Sequence, residues 1–263
     1  MAGNKQEMRI AYPFAPERVG LNNDGNLLKL IAMIAMLCDH AGKMLFPQYA
    51  IMRIIGRLAF PIYAYSLAAG CVYTRNHLRY LKRIVLLALI SQPLYAVSLA
   101  HTVPRMYDIS FAESPVKAIW NFYINSWNKP SILLTLALGL IVIWAIRNRQ
   151  FVLTAALLIF CYLIKNKIDY GMKGIFLMLL FYLLCAKWWL SLPCVLALMV
   201  WWGMQGTGYH LFGLEFGKQM FAVCALPLIY IHTKSGIKLP KWLFYAFYPA
   251  HLVLIYCLDK FVM

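Results

Sequence analysis

Asp39 and His40 stand side by side in Leu28–Phe46, LKLIAMIAMLCDHAGKMLF, a run that is otherwise apolar apart from Lys29 and Lys43. About 20 apolar residues span a bilayer core as a helix. Each ionisable group held there costs about 2.5–3.5 kcal/mol on insertion scales. Groups retained against that cost point to chemistry at depth. A neutral imidazole is the usual base near pH 7 and takes a proton from an amine or a hydroxyl. Ten residues separate Lys29 from His40, so three helical turns set both near one face, about 16 Å apart along the axis. A cation near one membrane surface and an imidazole at depth, on one line, suit a charged, elongated cofactor entering end-on. The plainer alternative is that His40 only hydrogen-bonds a neighbouring helix.

Neighbours on a helix diverge by about 100°, so Asp39 need not orient His40. Arg53 and Arg57, four apart on the second apolar run, offer it a partner instead. His251, two residues after Pro249 in the last apolar run, is a second histidine at depth. Three roles are open to it: the base itself, a proton relay, or a structural donor. Arg75, Arg79 and Arg83 (or Lys82) recur at helical spacing in TRNHLRYLKR. That cluster reads either as an ordinary basic cytoplasmic loop or as a phosphate clamp, since guanidinium forks fit phosphate oxygens.

The elements that must position these groups are membrane helices. The 263 residues are 63% apolar and 13% charged, with mean hydropathy +0.67; a soluble domain is nearer half apolar and a quarter charged. An all-α, polytopic membrane bundle follows. The net charge of +16 does not mark a nucleic-acid binder, because the basic residues fall in short loops between apolar runs, where they meet lipid headgroups. The cysteines are scattered without a CxxC pair, so neither a zinc site nor a disulfide framework is expected and no metal is. Met1–Gly20 lacks the apolar core of a secretory signal.

Residues 1–26 read as a polar cytoplasmic arm and 27–258 as the membrane domain. Spans are expected at Leu28–Phe46, Ala50–Tyr73 kinked at Pro61, Ile84–Ala100 broken by Pro93, Ser131–Ile146, Phe151–Ile164, Ile175–Trp189, Leu192–Met204 (full or re-entrant), Gln219–Ile231 and Trp242–Leu258. That makes eight or nine, with nine favoured. The polar stretch 101–129, with His101, Arg105, Asp108 and Glu113, reads as a long non-cytoplasmic loop. On that count the N-terminus and the 74–83, 147–149 and 232–241 loops share the cytoplasmic side, although the basic 165–173 loop falls opposite them.

Five segments in order carry a family resemblance: LKLIAMIAMLCDHAG, RIIGRLAFPIYAYSLAAG, TRN with YLKRI, IDYGMKG and FYAFYPAHLVL. Together they resemble the TraX family over about Leu27 to Leu252. That family is known for acetylating the N-terminus of conjugative F-type pilin subunits in the bacterial inner membrane. The spacing of Lys29 and His40 is also similar to the basic-x10-His pattern of acyltransferase-3 membrane enzymes, in which acetyl-CoA is the acyl donor. The resemblance implies His40 as general base, Asp39 as its tuner or anchor, and Lys29 meeting the cofactor at the cytoplasmic surface. Arg53 and Arg57 would stabilise an oxyanion or hold cofactor phosphate, and Arg75, Arg79 and Arg83 would meet the nucleotide end. Asp169 with Tyr170, and Tyr248 with His251, match two further family segments without an assigned role. Lys43 is a second oxyanion candidate.

The implied chemistry is acetyl transfer from acetyl-CoA to an amine or hydroxyl, either directly or through an acyl-histidine. The acceptor is a pilin subunit or, alternatively, a sugar or other small molecule. Rivals of other classes are a proton-coupled transporter with Asp39 and His40 as relay, and a non-catalytic assembly subunit. Membrane lipids are the other expected partners, and the sequence leaves the oligomeric state open.

Overall fold

The computed structural model describes residue 16 and residues 18–99 and 114–261. The first 15 residues of the expected arm, and the loop residues His101, Arg105, Asp108 and Glu113, lie outside the described residues. Eleven α-helices and a 3₁₀ helix dominate what is described, beside one small hairpin. The chain is all-α in class.

Helix α1 (Gly25–Met44) begins where the Asp24 carboxylate accepts the Leu27 N–H at 3.3 Å, satisfying one of the free donors of a helix start. The same carboxylate accepts the Ser235 N–H at 2.6 Å and the Thr233 hydroxyl at 3.4 Å. These bonds, the Ser235 N–H foremost, hold the Asp24 carboxyl below its ordinary value. Their contribution to folding is therefore complete above the ordinary carboxylate value, and it is lost as pH falls through the lowered one. Asp24→Ala is expected to melt earlier than the parent at neutral pH, with the gap narrowing in acid; thermal melts in detergent across a pH series check this.

Asn22 is buried, and its amide donates to the Leu228 carbonyl at 2.8 Å and the Thr233 hydroxyl at 3.0 Å. The Tyr65 hydroxyl donates to the Asn22 carbonyl at 2.5 Å. The segment before α1 is thus packed into the bundle, with Val19 and Leu21 in the core.

The second apolar run departs from expectation. It forms α2 (Ala50–Gly56) and α3 (Ala59–Tyr73), separated at Arg57–Leu58 and not kinked at Pro61. The N–H groups of Arg57 and Leu58 bond to Ile54 and Ile55, three residues back, which tightens and ends α2. Pro61 then falls in the first turn of α3, where its missing N–H leaves no bond unmade. The third run is also corrected: α4 (His77–Leu99) starts a full two turns earlier than Ile84 and runs through Pro93 unbroken. The Leu89 carbonyl that Pro93 cannot serve accepts the Tyr123 hydroxyl at 3.4 Å. Tyr123 lies on α5 (Pro115–Ser126), a helix where a loop was expected.

The chain continues through α6 (Ile132–Arg147), α7 (Phe151–Leu163), α8 (Gly171–Leu184) and α9 (Trp188–Gly203). The antiparallel hairpin β1 (Tyr209–Leu211) and β2 (Leu214–Phe216) follows. The expected span 219–231 is a 3₁₀ helix, Lys218–Ala225, leading into the short α10 (Leu226–Tyr230). Helix α11 (Lys241–Phe261) closes the described chain. Three stretches are long and apolar enough to cross a membrane: Ala50–Tyr73, His77–Leu99 and Lys241–Phe261. Helices α6 to α9 have 13 to 16 residues, short of the roughly 20 a straight crossing takes. Among the described residues the helices of full crossing length thus number three, and shorter apolar helices make up the rest.

Helix α1 packs on α2, α3, α4 and α11, while α3 packs on α8 and α6, and α4 on α6 and α11. Gly42 lets α2 close on α1, because a Cβ there would stand 2.6 Å from that of Met52. Several bonds gather one end of the bundle. Gly20 N–H donates to the Cys185 carbonyl at 2.7 Å, Tyr73 donates to Asn23 at 3.1 Å, and Arg147 donates to the Cys71 carbonyl at 2.7 Å. With the Asn22 and Asp24 bonds, they bring the segment before α1 together with the 73–77, 147, 185 and 228–237 segments. At the bundle's side, α7 leaves Val152, Ile159, Tyr162 and Leu163 exposed, a face suited to lipid.

Candidate functional site

Successive residues of α1 reach different neighbours, and that divergence builds the site. Asp39 turns to α2, where Arg53 Nη1 donates to its Oδ2 at 2.6 Å and to its backbone carbonyl at 3.0 Å. Arg57 Nη2 pairs with Oδ1 of the same carboxylate. Arg57 also donates through Nε to the Arg53 carbonyl at 3.2 Å and through Nη1 to the Tyr170 hydroxyl at 3.3 Å. The break after Gly56 is what brings Arg57 round to the carboxylate that Arg53 already holds. Gly56 itself is required by the close approach, since a Cβ there would overlap the Asp39 carboxylate. Gly56→Ala is expected to cost about 1–3 kcal/mol, as overpacking does, and to open the ion pairs; a melt of the purified variant beside the parent measures it.

His40 turns instead to α11. Its Nδ1 lies 2.8 Å from His251 Nε2, and His251 Nδ1 lies 2.9 Å from the Phe247 carbonyl oxygen. A carbonyl only accepts, so His251 carries its proton on Nδ1. In neutral rings His251 Nε2 then accepts from His40 Nδ1–H, and the lone pair of His40 is left on Nε2. Phe247 and Tyr248 clamp the His251 ring, stacked at 5.0 Å and edge-on at 5.4 Å. His251 is 2% exposed and does not line the cavity described next, whereas His40 does. The pair is a base facing the cavity and a buried ring that sets its tautomer. Asp39 is held by the two arginines and makes no hydrogen bond to His40; it anchors α2 to α1.

The cavity holds about 670 Å³ between α1, α3, α4, α6 and α11. Lys29, Tyr73, Arg83, Lys241 and Phe244 line it at the gathered end of the bundle, and Lys29 sits over the Phe244 ring at 5.0 Å. His40, Lys43, Lys129, Asp169 and Tyr170 line it at the other end, about three turns along α1. Arg53, Arg57 and Tyr248 also face it. Arg75 and Arg79 are exposed and do not line it, so of the three clustered arginines Arg83 alone reaches the cavity. Tyr170 holds a left-handed backbone, φ 60°, uncommon outside glycine. Its ring is wedged between Phe60 at 4.3 Å and Trp202 at 5.1 Å.

Lys129, Lys241, Phe244 and Gly56 are absent from the residues singled out by sequence. Lys241 follows Pro240 at the start of the last apolar run, the one available signal for it; the rest depend on packing. In chemical terms the site is an imidazole whose Nε2 lone pair has no hydrogen-bond partner among the described residues, at one end of a slot, and cations with an aromatic ring at the other.

These features define a helical membrane protein with a histidine pair at the head of an internal slot. The TraX protein family matches residues 24–259, and the chain belongs to that family. It is 27% identical, over 251 residues, to a probable fimbrial assembly protein FimC, serogroup H1, of Dichelobacter nodosus, with 87% of this chain and 92% of that protein covered. A 43-residue stretch is 51% identical to an uncharacterised protein of Rickettsia prowazekii, covering 16% of this chain and 17% of that one. No solved structure matches the chain.

Proposed function

We propose that this protein transfers an acetyl group from acetyl-CoA to the amino terminus of a pilin subunit, in the inner membrane of a bacterium. The observation that carries the reading is His40 Nε2, a base with a fixed lone pair, at the head of a slot whose other end is basic and aromatic. Lys29, Arg83 and Lys241 would hold the phosphates of the donor, with Phe244 beside them. The span of about 16 Å from Lys29 to His40 gives the acyl arm its course. His40 takes a proton from the acceptor amine as nitrogen attacks the thioester carbon. Arg53 and Arg57, which also face the cavity, offer positive charge to the oxyanion. As the C–S bond breaks, the imidazolium returns its proton to the leaving thiolate. A relative in Dichelobacter nodosus described as a probable fimbrial assembly protein fits a pilin acceptor.

In this reading the chain crosses nine times, with α2–α3 as one pass and the 3₁₀ helix with α10 as another, while α5 lies at the surface. The gathered end of the bundle faces the cytoplasm, where acetyl-CoA is found. Purified protein incubated with isotope-labelled acetyl-CoA and a synthetic pilin amino-terminal peptide tests the proposal. Label on the peptide's α-amine is the expected result. Label on a glycan acceptor in its place keeps the chemistry and replaces the acceptor, and proton-coupled uptake in proteoliposomes without CoA binding rejects both.

A further inference from the structure

The cavity end around His40 holds more positive charge than its own carboxylates balance. Arg53 and Arg57 share the single carboxylate of Asp39. Lys43 donates to the Leu99 carbonyl at 2.8 Å, closing the C-terminal end of α4. Lys129, exposed to solvent on one side, lines the same cavity. Lys129 is brought there deliberately by the backbone. The buried Gln92 amide donates to the carbonyls of Ser126 and Lys129 at 2.6 and 3.1 Å and accepts the Ser131 N–H at 2.9 Å. That pins the turn before α6 while leaving the Lys129 side chain on the cavity wall. The other carboxylate on this wall, Asp169, has no ion-pair partner within 4 Å among the described residues. Two cations on the lining of one cavity attract an anion, the more so where water is partly excluded.

We infer that this end of the cavity binds the acceptor through an anionic group, a carboxylate or a phosphate, held between Lys43 and Lys129 while the acceptor amine stands at His40 Nε2. The inference rests on the acyl-transfer reading and names its substrate class. Lys43 is one turn from His40, a rise of about 4.5 Å, and an extended peptide advances about 3.5 Å per residue. The anion therefore belongs on the second or third residue of the acceptor peptide. The same surplus charge favours the neutral amine over the ammonium, which is the form that attacks.

Three peptide amides that differ only at the second residue (Glu, phosphoserine or Gln) test this with the full chain in detergent and acetyl-CoA. The Glu and phosphoserine peptides are expected to have KM about tenfold below that of the Gln peptide, the scale of one charge-assisted hydrogen bond. Lys129→Ala should erase the difference through KM, and Lys129→Glu should shift preference to a Lys-bearing peptide. Equal KM for all three peptides in the parent, or a preference that survives Lys129→Ala, overturns the inference. A binding arm separates it from the transfer reading. In His40→Ala, the phosphoserine peptide should still raise the melting temperature in a salt-sensitive way that Lys129→Ala abolishes. Binding there without transfer in the parent would reject the enzyme and keep the anion site, while transfer without that binding difference would reject the anion site alone.

Discussion

His40→Ala is expected to lower acetyl transfer by about 10²–10⁴-fold, the contribution of a positioned general base, while leaving the fold intact. The fold should tolerate the change because His40 gives one hydrogen bond, to a ring that keeps its other bond to the Phe247 carbonyl. The loss should fall on kcat, since a base acts on the proton in flight and not on ground-state binding. His251→Phe makes the informative companion. It fills the stacked position against Phe247 but accepts nothing from His40 Nδ1, so either ring nitrogen of His40 can then carry the proton. A loss in kcat smaller than that of His40→Ala is expected, with CoA-dependent thermal stabilisation retained. Rates and melts on the same purified samples check both. Full transfer by folded His40→Ala would remove the base from the mechanism and favour a structural role for the pair.

Sequence periodicity carries Lys29, Asp39 and His40 to one helix at the right separation, because a helix has one pitch and an apolar run has one purpose. The partners of those residues are a different matter. His40 and His251 are 211 residues apart, and nothing local in the sequence says that α11 and not α2 faces His40. The pairing of Asp39 with Arg53 and Arg57 was foreseeable, since opposite charges in apolar runs must find each other. The break at Arg57–Leu58 was not, because Pro61 is the louder signal and proves harmless in a first turn. Arg75 and Arg79 share helical spacing with Arg83, yet Arg75 falls before α4 and Arg79 lies off the cavity. Spacing gives a common face, and packing decides which way that face looks. Lys129 is set by the hydrogen bonds of Gln92, a tertiary device with no periodicity of its own.

Asp39→Ala should be the most destabilising substitution in the site, and its cause distinguishes it from His40→Ala. The change leaves two guanidinium groups without their carboxylate, and an uncompensated buried charge commonly costs about 3–5 kcal/mol. Arg53 keeps 25% of its side-chain surface and Arg57 13%, so water relieves part of this and the low end, about 3 kcal/mol, is expected. Arg53→Met in the Asp39→Ala background should return part of that stability, because it withdraws one of the two stranded charges while keeping an apolar stem. In the parent, Arg53→Met should instead cost stability, since Arg57 alone then holds Asp39. The sign of the Arg53 effect thus reverses with the residue at position 39. Melting temperatures of the four proteins form the cycle. Additive shifts would mean that the carboxylate and the arginine act independently, and that α2 is held on α1 by its apolar packing and the close approach at Gly42 alone.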